Sequence, residues 1–273
     1  MAVATVPRRQ TDLLEAVATT RHHAHTFALA TRLLPRPLRN DVYLLYMVCR
    51  TLDDLVDEHH PEAATRLRQV AAWADGRAPL GREERILDDL FGRYPGMPRE
   101  AIADFCDGQA YDLRPVRMEN EAELDTYAYR VAGTVGRLMV AMLGPLSAAA
   151  DASGRALGIA MQRTNILRDI DEDLGNGRIY VPAETLRLAH VADLRRDDRR
   201  LLLRIEIAIA DDWYDHGMAV VHQVRTGRFA VRGAAVMYRE ILRQIERQFP
   251  SPNRAVVPAW RKPALLAEAF LHG

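Results

Sequence analysis

The sequence predicts a single all-α domain, and three observations carry that expectation. Apolar residues recur at helical spacing through nearly the whole chain, the interruptions fall at proline and glycine, and no paired alternating runs mark a strand hairpin. Helical pattern covers 11–33, 41–58, 62–74, 83–93, 98–112, 121–144, 151–175, 198–226 and 230–248. The breaks fall at 76–81, 95–98, 144–145, 175–182 and 250–252, where Gly and Pro gather. With 273 residues, 48% of them hydrophobic, the chain can bury one substantial core.

The ends and the charges narrow the class. Residues 1–10 carry arginines without an apolar stretch behind them, so they are read as disordered and not as a secretory signal. The longest apolar run, 138–150, is broken by Gly144 and Pro145 and falls short of the roughly 20 residues that span a bilayer. Lysine plus arginine equals aspartate plus glutamate at 37 each, a balance that argues against a general nucleic-acid binder. Cys49 and Cys106 are the two cysteines, both within apolar helical pattern, which points to a reducing cytoplasm and no disulfide framework. The charge run 195–200 reads as a solvated turn or helix start.

The helix over 41–58 carries the first chemical signal. Tyr46, Arg50, Asp53 and Asp57 fall within an arc of about 60° at 100° per residue, so the two carboxylates stack one turn apart. Like charges so placed repel on an ordinary helix, and the arrangement becomes favourable when a divalent cation sits between them. Magnesium suits the pair, with manganese as the alternative, because it takes oxygen ligands and bridges carboxylates to phosphate. Asp211 and Asp215 have identical spacing without amide or arginine companions on their face, and read as surface or helix cap.

The second signal repeats the first more strongly. Gln162, Asn165, Asp169 and Asp173 share an arc of about 80°, giving two amides and two carboxylates in one stripe. Such a stripe makes a poor core face and a good oxygen-ligand wall. Arg168 lies beside it, placed to touch an anion held by the metals. Two such faces across a helical bundle would hold magnesium ions against a diphosphate and stabilise its departure. A carbocation left behind requires a dry, apolar surround.

These residues resemble the squalene/phytoene synthase family. The matching stretches are 26–35, 45–58, 127–136, 162–173, 177–182, 238–242 and 260–262; they fall in order and span about 20 to 262. The resemblance implies one isoprenoid-synthase helical bundle over 1–273 with a central apolar cavity. It implies head-to-head condensation of two prenyl diphosphates, C15 or C20, through a cyclopropylcarbinyl diphosphate intermediate. By the same resemblance Asp53, Asp57, Asn165, Asp169 and Asp173 hold magnesium or its waters. Arg50, Arg168, Tyr238, Arg254 and Lys262 contact diphosphate, while Tyr46, Tyr127, Val131 and Gln162 line the reaction centre with Phe27. Gly133 and Gly136 read as permitting close helix approach.

One departure stands out at His25-Thr26-Phe27, where the family usually offers a basic residue before the Ser/Thr-Phe pair. A histidine can bind phosphate when protonated, but its charge at neutral pH is conditional, so His25 is a conditional anchor. That motivates a rival expectation, a terpene cyclase ionising one prenyl diphosphate on the same scaffold. His22, His23 and His25 do not converge as zinc ligands from one helix, and His59-His60 reads as a turn. No GxGxxG turn supports a nicotinamide domain, so NADPH is not expected and the product is expected to be unreduced, of phytoene or dehydrosqualene type. Greasy substrates suit peripheral membrane contact, although no basic amphipathic helix announces it. Oligomeric state is not legible.

Overall fold

A computed structural model of the chain describes residues 8–219, 221–250 and 254–271. Its helices are α1 (Arg8–His23), α2 (His25–Ala30), α3 (Arg36–Asp57), α4 (Ala63–Ala74), α5 (Arg82–Arg93), α6 (Glu100–Tyr111) and α7 (Glu121–Ala128). They continue as α8 (Thr134–Leu143), α9 (Ala148–Arg168), α10 (Ile170–Gly175), α11 (Ala183–Leu188), α12 (Arg200–Ala219), α13 (Arg228–Gln248) and α14 (Lys262–Leu271). Two isolated bridges, Arg117 with Ile179 and Pro145 with Val224, are the β pairing among the described residues. No described helix is long and apolar enough to cross a membrane.

Local chemistry explains most boundaries. Proline opens α3, where its missing N–H is no loss, and Asn120 caps α7 by accepting from the Glu123 amide at 3.0 Å. Gly144 ends α8 and Gly227 opens α13, each at positive φ. His59, also at positive φ, turns the chain after α3, as the His59-His60 pair suggested.

Several continuous readings are interrupted. The expected disordered start ends early: residues 8–10 already belong to α1, held by Arg9 on Asp41 at 3.1 Å and by Arg82 on Asp12 and Glu15, while 1–7 lie outside the described residues. The helical reading of 121–144 contains a π-helical turn at Tyr129–Gly133, a wider turn often found at functional positions. The reading of 151–175 breaks at Asp169, whose φ of −109° and ψ of 15° leave the helical range. The helix expected over 198–226 stops at Ala219. Short α11 was not anticipated, nor was α14, in whose first turn Pro263 sits, where proline is tolerated.

Two apolar clusters form the core. One joins α1, α3, α4, α5, α6 and α8; the other joins α7, α9, α12, α13 and α14. Cys49 and Cys106 are free thiols buried in the first. The rod between the clusters is α9, which packs on α8, α12 and α13. Its contact with α8 is made by glycines, as expected for Gly133 and Gly136: a Cβ on Gly136 would overlap the Gly154 carbonyl, and one on Gly158 would strike the Ala132 backbone. On its other side Arg163 is fully buried and donates to Glu206 at 3.0 Å, Glu121 at 2.7 Å and Asp125 at 2.7 Å. Removing one partner from such a buried network costs about 3–5 kcal/mol, so α9 has one rotational phase. That phase aims Gln162 and Asn165 away from the network.

Candidate active site

The last two turns of α3 present the first acidic face. Arg50 donates to Asp53 at 3.1 Å and to Asp54 at 2.5 Å, leaving its buried Nε without a partner among the described residues. Burial, then the neighbouring charge of Asp57, pushes the Asp53 carboxyl up to about 6, against the opposing pull of Arg50 and the buried Gln109 amide. Tyr46 lies one turn earlier and packs on Phe27 of α2, ring centroids 5.5 Å apart. Burial holds the Tyr46 hydroxyl well above the usual range.

The second face survives the break at Asp169. The Asp169 amide still donates to the Asn165 carbonyl at 2.9 Å, and Asp173 to Asp169 at 2.9 Å, so the stripe keeps its order. Asn165 donates to Gln162 at 3.3 Å, while its buried Oδ1 has no partner among the described residues. Asp169 is gripped twice: Arg168 donates at 2.9 and 2.6 Å, and Arg254 at 2.8 and 2.7 Å. Burial raises the Asp169 carboxyl, but the two guanidiniums outweigh it and hold it below the ordinary carboxylate value. Asp173 has no such partner among the described residues. Burial and the charge of Asp169 push it up to about 7.

The two faces meet around Arg178. This buried guanidinium donates to Asp57 at 2.6 Å across 121 positions of sequence, and its charge also reaches Asp173. Beside it, Asp112 accepts from Tyr127 at 2.6 Å and Tyr180 at 2.9 Å, and these two rings stack at 4.9 Å. Burial raises Asp112, the two hydroxyls and Arg178 pull it down, and Asp57 is near enough to push it up again. Tyr238 on α13 lies within electrostatic reach of both Tyr46 and Arg168. Val131, in the π-helical turn, packs close to Gly108 of α6.

The structure therefore gathers Phe27, Tyr46, Arg50, Asp53, Asp57, Tyr127, Gln162, Asn165, Arg168, Asp169, Asp173, Tyr238 and Arg254 toward one region. It does not bring in two others: His25 is exposed on α2, and neither it nor Lys262 forms a hydrogen bond or ion pair with the site among the described residues. Sequence reasoning missed Gln109, Asp112, Arg178 and Tyr180 as site residues. Arg178 and Tyr180 lie in the 177–182 stretch that carried the resemblance, so a signal was present; Gln109 and Asp112 had none beyond a helical pattern.

No three histidine, cysteine or acidic side chains among the described residues converge as a ready-made metal centre. Carboxylates alone repel, and here arginines separate them. The donor set nevertheless fits a hard cation: an orphan amide oxygen on Asn165, and two carboxyls, Asp53 and Asp173, whose negative charge is incompletely balanced. A cleft of about 220 Å³ opens beside Arg168, Asp169 and Arg254, floored by Leu203, Ile245 and Phe249.

Comparison with known proteins agrees with this geometry. A family model described as squalene/phytoene synthase matches residues 20–261. A phytoene synthase of Thermus thermophilus is 38% identical over 92% of this chain and 90% of its own. A presqualene diphosphate synthase of Rhodopseudomonas palustris is 38% identical over 65% of this chain and 64% of its own. The crystal structure of a dehydrosqualene synthase in complex with ligand superposes with a TM-score of 0.86 at 28% identity, covering 97% of each chain.

Proposed function

The chain belongs to the squalene/phytoene synthase family and is a prenyltransferase, and from that premise we propose that it joins two C15 or C20 prenyl diphosphates head to head, with magnesium, through a cyclopropylcarbinyl diphosphate. The observation that carries the reading is the meeting of two sequence-distant acidic faces around Arg178.

Asp53, Asp57, Asn165, Asp169 and Asp173 are the residues that would hold magnesium, which when bound offsets the charge of the departing diphosphate. The chain's own groups do the rest. Arg50, Arg168 and Arg254, now paired with carboxylates, exchange those partners for phosphate oxygens, which suit their bidentate forks. Phe27 packs on one apolar cluster and Val131 and Tyr238 on the other, Tyr46 lies against Phe27, and this seam, with Gln162, serves as the chamber for the prenyl chains. Tyrosine faces there stabilise an allylic cation, and apolar walls keep water from it. Tyr127 keeps its proton and donates a hydrogen bond to Asp112, so that hydroxyl orients and does not act as a base.

The test is product analysis. Purified protein incubated with C15 or C20 diphosphate and magnesium should yield a doubled, unreduced hydrocarbon by mass spectrometry, unchanged by NADPH and absent with chelator. A cyclic product from one substrate equivalent would replace this reading with cyclisation.

A further inference from the structure

The end of the bundle opposite the acidic faces has an unusual surface. Four stretches meet there: 31–40, 143–150, 221–232 and the end of α14. Their adjacency is fixed by contacts. Arg225 N–H donates to the Gly144 carbonyl at 2.8 Å, Leu146 N–H to Gln223 at 2.8 Å, and Thr226 N–H to Leu143 at 3.1 Å. Gly227 faces Leu34 and Leu143, and Phe229 stacks on Phe270 with centroids 4.6 Å apart.

The charge on this end is predominantly basic. Stretches 31–40 and 221–232 hold Arg32, Arg36, Arg39, Arg225, Arg228 and Arg232 and no acidic residue, 143–150 holds no charge at all, and the end of α14 adds one exposed acid, Glu268. None of these six arginines makes an ion pair with a described residue, although most acidic clusters elsewhere in the chain are arginine-paired. In a chain of zero net charge this is segregation. Large apolar side chains project between the cations: Leu33 is 42% exposed, Leu146 57%, Phe270 48% and Leu271 82%. Arg228 lies over Phe229, 5.0 Å from the ring centroid.

We propose that this end of the bundle is a docking surface for an anionic lipid bilayer. Unpaired arginines complement phosphate headgroups, and leucines and phenylalanines at the tips of turns enter the headgroup boundary. A second copy of the chain fits less well, because a two-fold contact through this face sets arginine against arginine. Docked so, the acidic faces at the far ends of α3 and α9 stay in water: Asp53 stands 17 residues along α3 from Arg36, about 25 Å at 1.5 Å per residue. The inference rests on the surface alone, and its test requires no turnover.

The test is co-sedimentation with vesicles of phosphatidylcholine containing phosphatidylglycerol, against vesicles of phosphatidylcholine alone. The protein should bind the anionic vesicles and release them in high salt. Arg225→Ala with Arg228→Ala should weaken binding about 25-fold, near fivefold per cation. Leu146→Ser or Leu271→Ser should weaken it severalfold at unchanged charge. A control pair at another exposed basic site, Arg196→Ala with Arg200→Ala, should leave it unchanged. Equal binding by all variants, or loss only in the control pair, overturns the proposal. So does a dimer in sedimentation velocity, or a nucleic-acid complex, that the Arg225 and Arg228 substitutions abolish while vesicle binding is absent.

Discussion

Asp211 and Asp215 on α12 have the same spacing as Asp53 and Asp57 on α3, and the two pairs live in opposite electrostatic worlds. Arg239 of α13 donates to Asp211 at 2.7 Å and Asp215 at 2.6 Å, and Arg243 adds a second contact to Asp211. The expectation that no arginine attends this pair holds along α12 itself; the arginines come from the neighbouring helix. Each negative charge there has a guanidinium of its own. Around Asp53 and Asp57, by contrast, aspartates from α3, from the end of α6 and from α9–α10 outnumber the arginines Arg50, Arg168, Arg178 and Arg254 that face them. The spacing is identical and the charge balance is not. Uncompensated charge marks the place where a cation is wanted.

The contrast can be broken most severely by neutralising one side of it. Asp53→Asn or Asp173→Asn should lower kcat on the order of a thousandfold while leaving the melting temperature unchanged or higher, because each removes a charge that burial disfavours. A variant that loses activity by unfolding would instead assign these residues to stability. Next, Arg178→Ala should cost about a hundredfold in kcat, since one guanidinium holds Asp57 and faces Asp173; Arg178→Lys should restore part of it.

Titration sharpens the contrast further. Asp173 at about 7 and Asp53 at about 6 both stand above the ordinary carboxylate value, so the free fold loses stability as pH rises from the ordinary value through these two. The ionised forms bind a cation, so affinity for magnesium with inorganic diphosphate should fall about tenfold as pH drops from 7 to 6, with protons released on binding. Calorimetry in buffers of different ionisation heat reads that release directly; binding that releases no protons would contradict the assignment. The smallest effect belongs to the look-alike pair: Asp211→Asn should leave kcat within about twofold and cost about 1 kcal/mol in denaturant unfolding.

Much of the site was legible because helical periodicity converts spacing into direction. Tyr46, Arg50, Asp53 and Asp57 needed only that conversion, as did Gln162 through Asp173. The break at Asp169 was illegible, since an aspartate followed by Ile170 continues an apolar pattern that geometry interrupts. Arg178 and Asp112 were missed for a different reason. Arg178 sits in the turn after α10, where no period says which way a side chain faces, whereas Asp112 closes the 98–112 helical pattern; only tertiary packing brings both toward Asp57. Lys262 and His25 show the reverse: family pattern pointed to them, yet neither bonds to another site residue among the described residues.

The glycine seam between α8 and α9 has a consequence for tolerance to change. Asp169 stands 15 residues beyond Gly154, about 22 Å along the rod at 1.5 Å per residue. A methyl group at Gly136 or Gly154 would act as a wedge beneath a beam, and a tilt at the fulcrum grows toward the tip. Displacement of about 1 Å there is enough to cost a hundredfold in rate. Positions that never meet substrate thus set how much drift the lineage can accept before turnover fails.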